Sequence, residues 1–225
     1  GLDSTQFIGV LGILMILTIT YLSSRGVKSI AKVGSIGGIF TIIVNVIFVI
    51  VSVIVLIAKK GVLAQPIHGA STFITSPNPQ FQTPIAIISF VVYAIFAYGG
   101  MESLGSVTDS MKNPAKTFPK GLIIASIFTI GTYVLMIFMV GCSINYQQDL
   151  TKSSVILGNV TYVVFNYLGI ALGDSLGWSH AAALTCGVVM TRIVALAQTL
   201  GFLGALFILL YSPIKALILG SNPNL

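Results

Sequence analysis

The chain has 225 residues, of which 56% are apolar and only 7% carry a formal charge, for a net charge of +6. A water-facing surface calls for about 25% charged residues, so an ordinary soluble domain is excluded. The eleven basic side chains lie between apolar blocks rather than along one face, which is how topology determinants are placed and argues against a nucleic-acid partner.

The apolar residues come in runs long enough to cross hydrocarbon, which takes about 20 helical residues. A first span is predicted over 5–22, followed by a basic turn with Arg25, Lys28 and Lys32. A second, rich in Ile and Val, is predicted over 35–58 and ends at Lys59-Lys60. β-Branched residues weaken helices in water, but in lipid the backbone must satisfy its own hydrogen bonds, so helix is expected. The short alternating segments of a β-barrel do not appear. A polar loop containing Pro66, Pro77, Pro79 and Pro84 leads into a third span, 84–108. Next comes a basic turn in which Asn113-Pro114 fits a turn and Pro119 fits helix initiation.

A fourth span is expected over 120–143. The stretch 145–182 is mixed, interrupted by Asn159, Thr161, Asn166 and Tyr167, and reads as an external loop carrying short helices. Within it Tyr162 and Trp178 read as interfacial anchors. A fifth span is expected over 190–212, with Arg192 near its outer end, able to snorkel. The sum is an all-α membrane protein with about five transmembrane helices, a single domain over 1–225.

Orientation follows from the basic loops. Arg25, Lys28, Lys32, Lys112, Lys116, Lys120 and Lys215 fall on one side; Lys59, Lys60, Lys152 and Arg192 fall on the other. The richer side is predicted to be cytoplasmic, so the N-terminus faces outward, in a multi-pass protein of the inner (plasma) membrane. Gly1-Leu2-Asp3 offers no basic region of a cleavable signal, and an outward start without one predicts further helices upstream. Cys142 and Cys186 lack metal-ligand spacing and read as free thiols, with a disulfide as the alternative. His68 and His180 stand isolated in external loops. The spans contain no Ser/His pair, no paired acids and no metal cluster, so no enzyme activity, cofactor or metal is expected.

The third span carries the chemistry. It reads Phe96-Ala97-Tyr98-Gly99-Gly100-Met101-Glu102, placing two glycines and a carboxylate well inside the bilayer. An ionised group at that depth costs a few kcal/mol or more, about 3 on insertion scales, so Glu102 should face protein or water. Paired glycines ease departure from helical geometry, and a helix broken near 98–101 would offer free N–H groups and carbonyls to a charged ligand. An amino acid carries both charges on one carbon, which suits such a break. The competing reading is that the glycines only permit close helix packing.

This segment, with Asp109 and Lys112-Asn113-Pro114 through Pro119-Lys120, resembles the sixth helix and following cytoplasmic turn of the amino acid/polyamine/organocation superfamily of permeases. Arg25-Gly26-Val27-Lys28 through Lys32 resembles that family's turn between helices four and five. Tyr211-Ser212-Pro213-Ile214-Lys215-Ala216 is similar to the branch of glutamate/γ-aminobutyrate antiporters and YjeM-like permeases. The resemblance spans helices four to eight of a twelve-helix protein. It implies part of a LeuT-type inverted-repeat transporter fold, whose remaining helices would be partners of this chain.

The resemblance further implies a secondary active amino acid transporter, an antiporter or proton-coupled permease working by alternating access on an amino acid or amine. Its backbone contacts would come from Ala97, Tyr98, Gly99 and Gly100, with Phe96 as an aromatic gate and Glu102 in proton coupling. Leu206 stands where a relative places an inner-gate tryptophan, so that gate is differently built here. Thr41 stands where another relative has a coupling lysine, which puts that mechanism in doubt. The alternative function is a membrane assembly or channel-like component in which the glycines serve packing alone.

Overall fold

The computed structural model describes residues 4–24, 27–69, 71–76, 79, 82–97, 108, 111–156 and 158–221. These residues form eight helices and no strand: α1 (Ser4–Ser24), α2 (Val27–Ala58), α3 (Ser71–Ile74), α4 (Pro84–Ala97), α5 (Pro114–Val140), α6 (Tyr146–Asp149), α7 (Val160–Ser175) and α8 (His180–Ser221). Among the described residues, Lys32–Ala58, Pro114–Val140 and His180–Ile214 are long and apolar enough to cross a membrane. The protein is an all-α membrane protein. The break expected near 98–101 lies outside the described residues, since α4 is described to Ala97 and Tyr98 through Val107 are not.

Two helix starts differ from the expectations. Pro114, not Pro119, opens α5, and Pro119 lies inside the helix. Proline suits the first helical position because its missing N–H would be unpaired there anyway. The Asn113 carbonyl then accepts the first turn's bonds from the N–H groups of Lys116 and Thr117, at 3.1 and 3.0 Å. His180 is not in a loop but opens α8, ten residues ahead of the expected span. Ser179 caps this start: its hydroxyl accepts the Ala182 N–H at 3.3 Å, and its carbonyl accepts the Ala183 N–H at 3.0 Å. Arg192 therefore lies about 18 Å along α8, at 1.5 Å per residue.

The chain packs as two units. The first contains α1, α2 as far as Thr41, the start of α5, and α8 from Ala197. Ile19 of α1 is its buried centre, with Met15, Val33, Leu203, Leu206 and Tyr211 packed around it. Here α2 and α8 meet backbone to backbone. A Cβ on Gly204 would lie 2.7 Å from the Gly34 Cα, and one on Gly37 would collide with the Leu200 carbonyl. Residues 34 and 37 meet 204 and 200 in reversed order, so the two helices run antiparallel. Small residues at such a contact let backbones approach where apolar burial gives no advantage over lipid.

The second unit contains the rest of α2, α5 and α8, together with α3, α4, α6 and α7. On α2, Val44, Phe48, Val51, Ser52 and Val55 are buried, spaced as one helical face. Phe48 meets Phe165 of α7, with ring centroids 5.0 Å apart and tilted by 52°. α7 is the most enclosed helix, burying Phe165, Leu168, Ala171 and Leu172 among others. It ends in a Schellman motif: the Trp178 N–H reaches the Gly173 carbonyl at 2.9 Å and the Gly177 N–H the Asp174 carbonyl at 3.2 Å. Gly177 takes the left-handed conformation this turn demands, at φ +74°.

The turn folds α7 back on α8. A Cβ on Gly173 would lie 2.7 Å from Ala183, and one on Gly187 would lie 2.8 Å from the Asn166 carbonyl. Thr191 donates its hydroxyl to the Gly187 carbonyl at 2.9 Å and lies 3.4 Å from the Tyr162 carbonyl. By contrast, α5 buries no side chain anywhere along its 27 residues. Ile124, Ile127, Val134 and Ile137 are all about two-thirds exposed.

Candidate functional site

The expected substrate segment starts at the end of α4. Thr83 caps that helix, its hydroxyl accepting the Ala86 N–H at 3.2 Å and its carbonyl the Ile87 N–H at 3.0 Å. Pro84 occupies the first helical position. From there the helix carries Phe96 and Ala97 in its last turn. Tyr98, Gly99, Gly100 and Glu102 lie outside the described residues.

Thr41 and Leu206 both belong to the first unit. Thr41 donates its hydroxyl to the Gly37 carbonyl at 3.0 Å, one turn back along α2. The same oxygen stands 3.2 Å from where a Gly201 Cβ would be, so it lies on the glycine contact between α2 and α8. Leu206 sits five residues further along α8, about 8 Å on, where it packs against the Ile19 cluster. Thr41 and Leu206 thus occupy successive levels of one helix pair. The glycines of that pair were not singled out from sequence. The spacings Gly34-x-x-Gly37 and Gly201-x-x-Gly204 are the signal that marks them.

Within the second unit, two cavities are formed by described residues. One, of about 320 Å³, sits at the C-terminal end of α5, lined by Val134, Ile137 and Phe138 at one end and by Gln65, Thr72 and Tyr146 elsewhere. Gln65 builds its rim: its N–H donates to the Gly141 carbonyl at 3.0 Å, and its side-chain oxygen accepts the Tyr146 N–H at 2.8 Å. The Tyr146 hydroxyl donates to the Ile137 carbonyl, which lays the ring along α5. Burial pushes the Tyr146 phenol above its ordinary pKa, against a smaller lowering from the Gly141 backbone hydrogen bond.

The other cavity, of about 410 Å³, is more open and polar, lined by Lys152, Tyr162, Asn166, Tyr167 and Thr191. Lys152 donates to the Tyr167 hydroxyl at 2.9 Å and to Asp149 at 3.0 Å, and its ammonium stands 5.3 Å from the Tyr167 ring centre. The Tyr167 and Asp149 hydrogen bonds raise the Lys152 pKa, since both favour the charged ammonium. Among the described residues there is no cluster of three or more His, Cys, Asp or Glu able to hold a metal. Cys142 and Cys186 are free thiols.

Comparison with known proteins decides the family. The model of a family described as amino acid permease matches residues 2–216. The chain belongs to the amino acid permease family. This permease chain is 46% identical over 171 residues to the inner membrane transporter YjeM of Escherichia coli, a match covering 76% of the chain and 33% of that protein. It is 26% identical over 175 residues to the aspartate/glutamate permease AcaP of Lactococcus lactis, covering 75% and 30% respectively. With the probable agmatine/putrescine antiporter AguD of Lactococcus lactis it shares 28% identity over 104 residues, covering 41% and 22%. The chain thus spans about a third of the length of these first two relatives. No solved structure matches it.

Proposed function

We propose that this chain forms the central helices of a secondary active transporter that carries an amino acid or a related amine across the inner membrane by alternating access. Membership of the permease family along nearly its whole length carries this reading. The names of two relatives, an aspartate/glutamate permease and an agmatine/putrescine antiporter, put both acidic amino acids and amines within the substrate class. No covalent chemistry is done on the substrate; exchange for a second solute or entry with a proton drives the cycle.

In this reading the backbone from Ala97 to Gly100 leaves helical geometry at mid-membrane, and its unpaired N–H and carbonyl groups hold the zwitterion. Phe96 closes over the bound molecule, and Glu102 answers to the coupling proton. Thr41 lies on the α2–α8 contact and Leu206 packs against the Ile19 cluster, and by the resemblance they stand where relatives carry a lysine and a tryptophan. The fragment's N-terminus lies outside. Completion of the site requires the helices beyond this chain.

The test is uptake of radiolabelled amino acids and amines into proteoliposomes holding the full-length protein. Glu102→Gln and Gly100→Leu are each expected to cut transport at least tenfold while the protein still inserts and elutes as a single species. Undiminished transport in both variants would overturn the site. If instead both variants failed to assemble, the glycines would be serving packing, as in a membrane assembly or channel-like component.

A further inference from the structure

α7 has two unlike faces. Phe165, Leu168 and Leu172 are buried on one. Tyr162, Val163, Asn166, Tyr167 and Ile170, spaced as the opposite helical face, line the more open cavity. The other walls are the 152–155 segment and Thr191 of α8, so every described lining residue falls between Lys152 and Thr191.

That stretch ties its own walls together. Asn159 donates to the Ser154 carbonyl at 2.8 Å and accepts the Ile156 N–H at 2.9 Å. The Val155 N–H reaches the Lys152 carbonyl at 2.9 Å. Opposite this segment, Gly169 and Gly187 already bring α7 and α8 to backbone contact, so the two helices cannot close further on the space.

The polar lining is rich in donors. A lysine ammonium has three N–H groups, and the bonds to Tyr167 and Asp149 use two of them. Tyr167 receives its bond on oxygen and keeps its own proton to give. The Asn166 amide and the Tyr162 hydroxyl have no hydrogen-bond partner among the described residues. No acid is among the described lining residues, and Asp149 meets the ammonium from outside them. Beside these groups stand Val155, Val163 and Ile170.

Unspent donors around one cation suit an acceptor with a single negative charge, and the apolar wall suits a short hydrocarbon body. A phosphate would bring a second charge and nothing for that wall. The volume of about 410 Å³ falls toward the small end of ligand pockets, about 300–1,000 Å³.

We infer that the pocket between the 152–155 segment, α7 and Thr191 binds a small aliphatic carboxylate, its charge on Lys152, Tyr167 and Asn166 and its chain against Val163 and Ile170. None of these residues belongs to the substrate segment, and the inference stands whether or not the chain transports.

The probe is 4-methylpentanoate, titrated by saturation-transfer NMR into the full-length protein in nanodiscs, with empty nanodiscs subtracted. Binding is expected to saturate. The uncharged 4-methylpentanamide should bind about tenfold more weakly, the loss of a charge-assisted hydrogen bond. Lys152→Gln should weaken binding of the acid by a similar factor. Asn166→Asp, which sets a fixed negative charge in the lining, should abolish it. Glu102→Gln, in the substrate segment, should leave it unchanged. Four results would each overturn the inference: no saturable binding by the parent, equal binding of the amide, loss of binding in Glu102→Gln, or full binding by either lining variant that elutes as the parent does.

Discussion

Gly169 of α7 lies against Gly187 of α8 so closely that a Cβ added to Gly169 would stand 2.7 Å from the Gly187 Cα. Gly173 makes the equivalent approach to Ala183 one turn on. The pair is joined by backbone surface rather than by interlocking side chains, so it has no slack for added volume.

Gly187→Val is accordingly expected to destabilise the protein by about 2 kcal/mol or more, the cost of overpacking a tight contact. Gly12→Ala, inside α1 at a position with open space around it, should hold stability or raise it by up to about 1 kcal/mol. Thermal unfolding of the purified full-length protein, followed by loss of monodisperse elution, distinguishes the two.

The α2–α8 contact makes a separate prediction. Gly204→Val forces a side chain onto the Gly34 Cα, whereas Gly38, one residue past Gly37, faces open space. Gly204→Val should lower the unfolding temperature and Gly38→Ala should not. Equal behaviour of the two variants would mean that this helix pair is not closely packed in the membrane.

At Gln65, removal of the side-chain acceptor leaves the Tyr146 N–H without its partner. Gln65→Leu should cost about 1–3 kcal/mol, the range for an orphaned buried donor. Gln65→Glu keeps an acceptor in place and should lose less. Chemical denaturation in detergent, comparing the two variants with the parent, measures the difference.

Ser52 runs the other way. Its hydroxyl is fully buried on α2 and has no hydrogen-bond partner among the described residues. Ser52→Ala removes a polar atom that gains nothing, so stability should hold or rise by about 1 kcal/mol. A marked loss would show that the hydroxyl has a partner after all.

Lys152 predicts a pH dependence. Its folded pKa is raised above the unfolded value by the hydrogen bonds to Tyr167 and Asp149. The resulting stabilisation is complete below the unfolded lysine pKa and is lost as pH rises through the folded one. Lys152→Met should therefore differ from the parent in unfolding temperature near neutral pH, and the difference should shrink in strongly alkaline buffer.

Much of the fold is legible in the sequence for one physical reason. Lipid leaves the backbone no option but helix, so apolar runs such as Ile36 to Ala58 announce themselves through length alone. α7 is harder to see, because Asn159 stands at its start and Asn166 and Tyr167 interrupt its apolar run. Each of these polar residues is occupied locally. Asn159 accepts the Ile156 N–H at 2.9 Å and donates to the Ser154 carbonyl at 2.8 Å, while Tyr167 receives Lys152. Asn166 fits against Gly187. The early start of α8 was written in Ser179 as a capping residue, and its packing in Gly169-x-x-x-Gly173 and Ala183-x-x-x-Gly187. The candidate substrate segment is legible as a glycine pair followed by a carboxylate, but its chemistry depends on backbone conformation, which no side-chain pattern specifies.

The length of α8 constrains how it can meet the bilayer. Its apolar stretch His180–Ile214 has 35 residues, about 52 Å at 1.5 Å each. Fitting all of it within about 30 Å of hydrocarbon would take an inclination near 55°, beyond the 0–40° that membrane helices adopt. Part of that stretch must therefore find its nonpolar company elsewhere, and α7 supplies it from Ala183 to Thr191. α7 does for the first turns of α8 what fatty chains do for the rest.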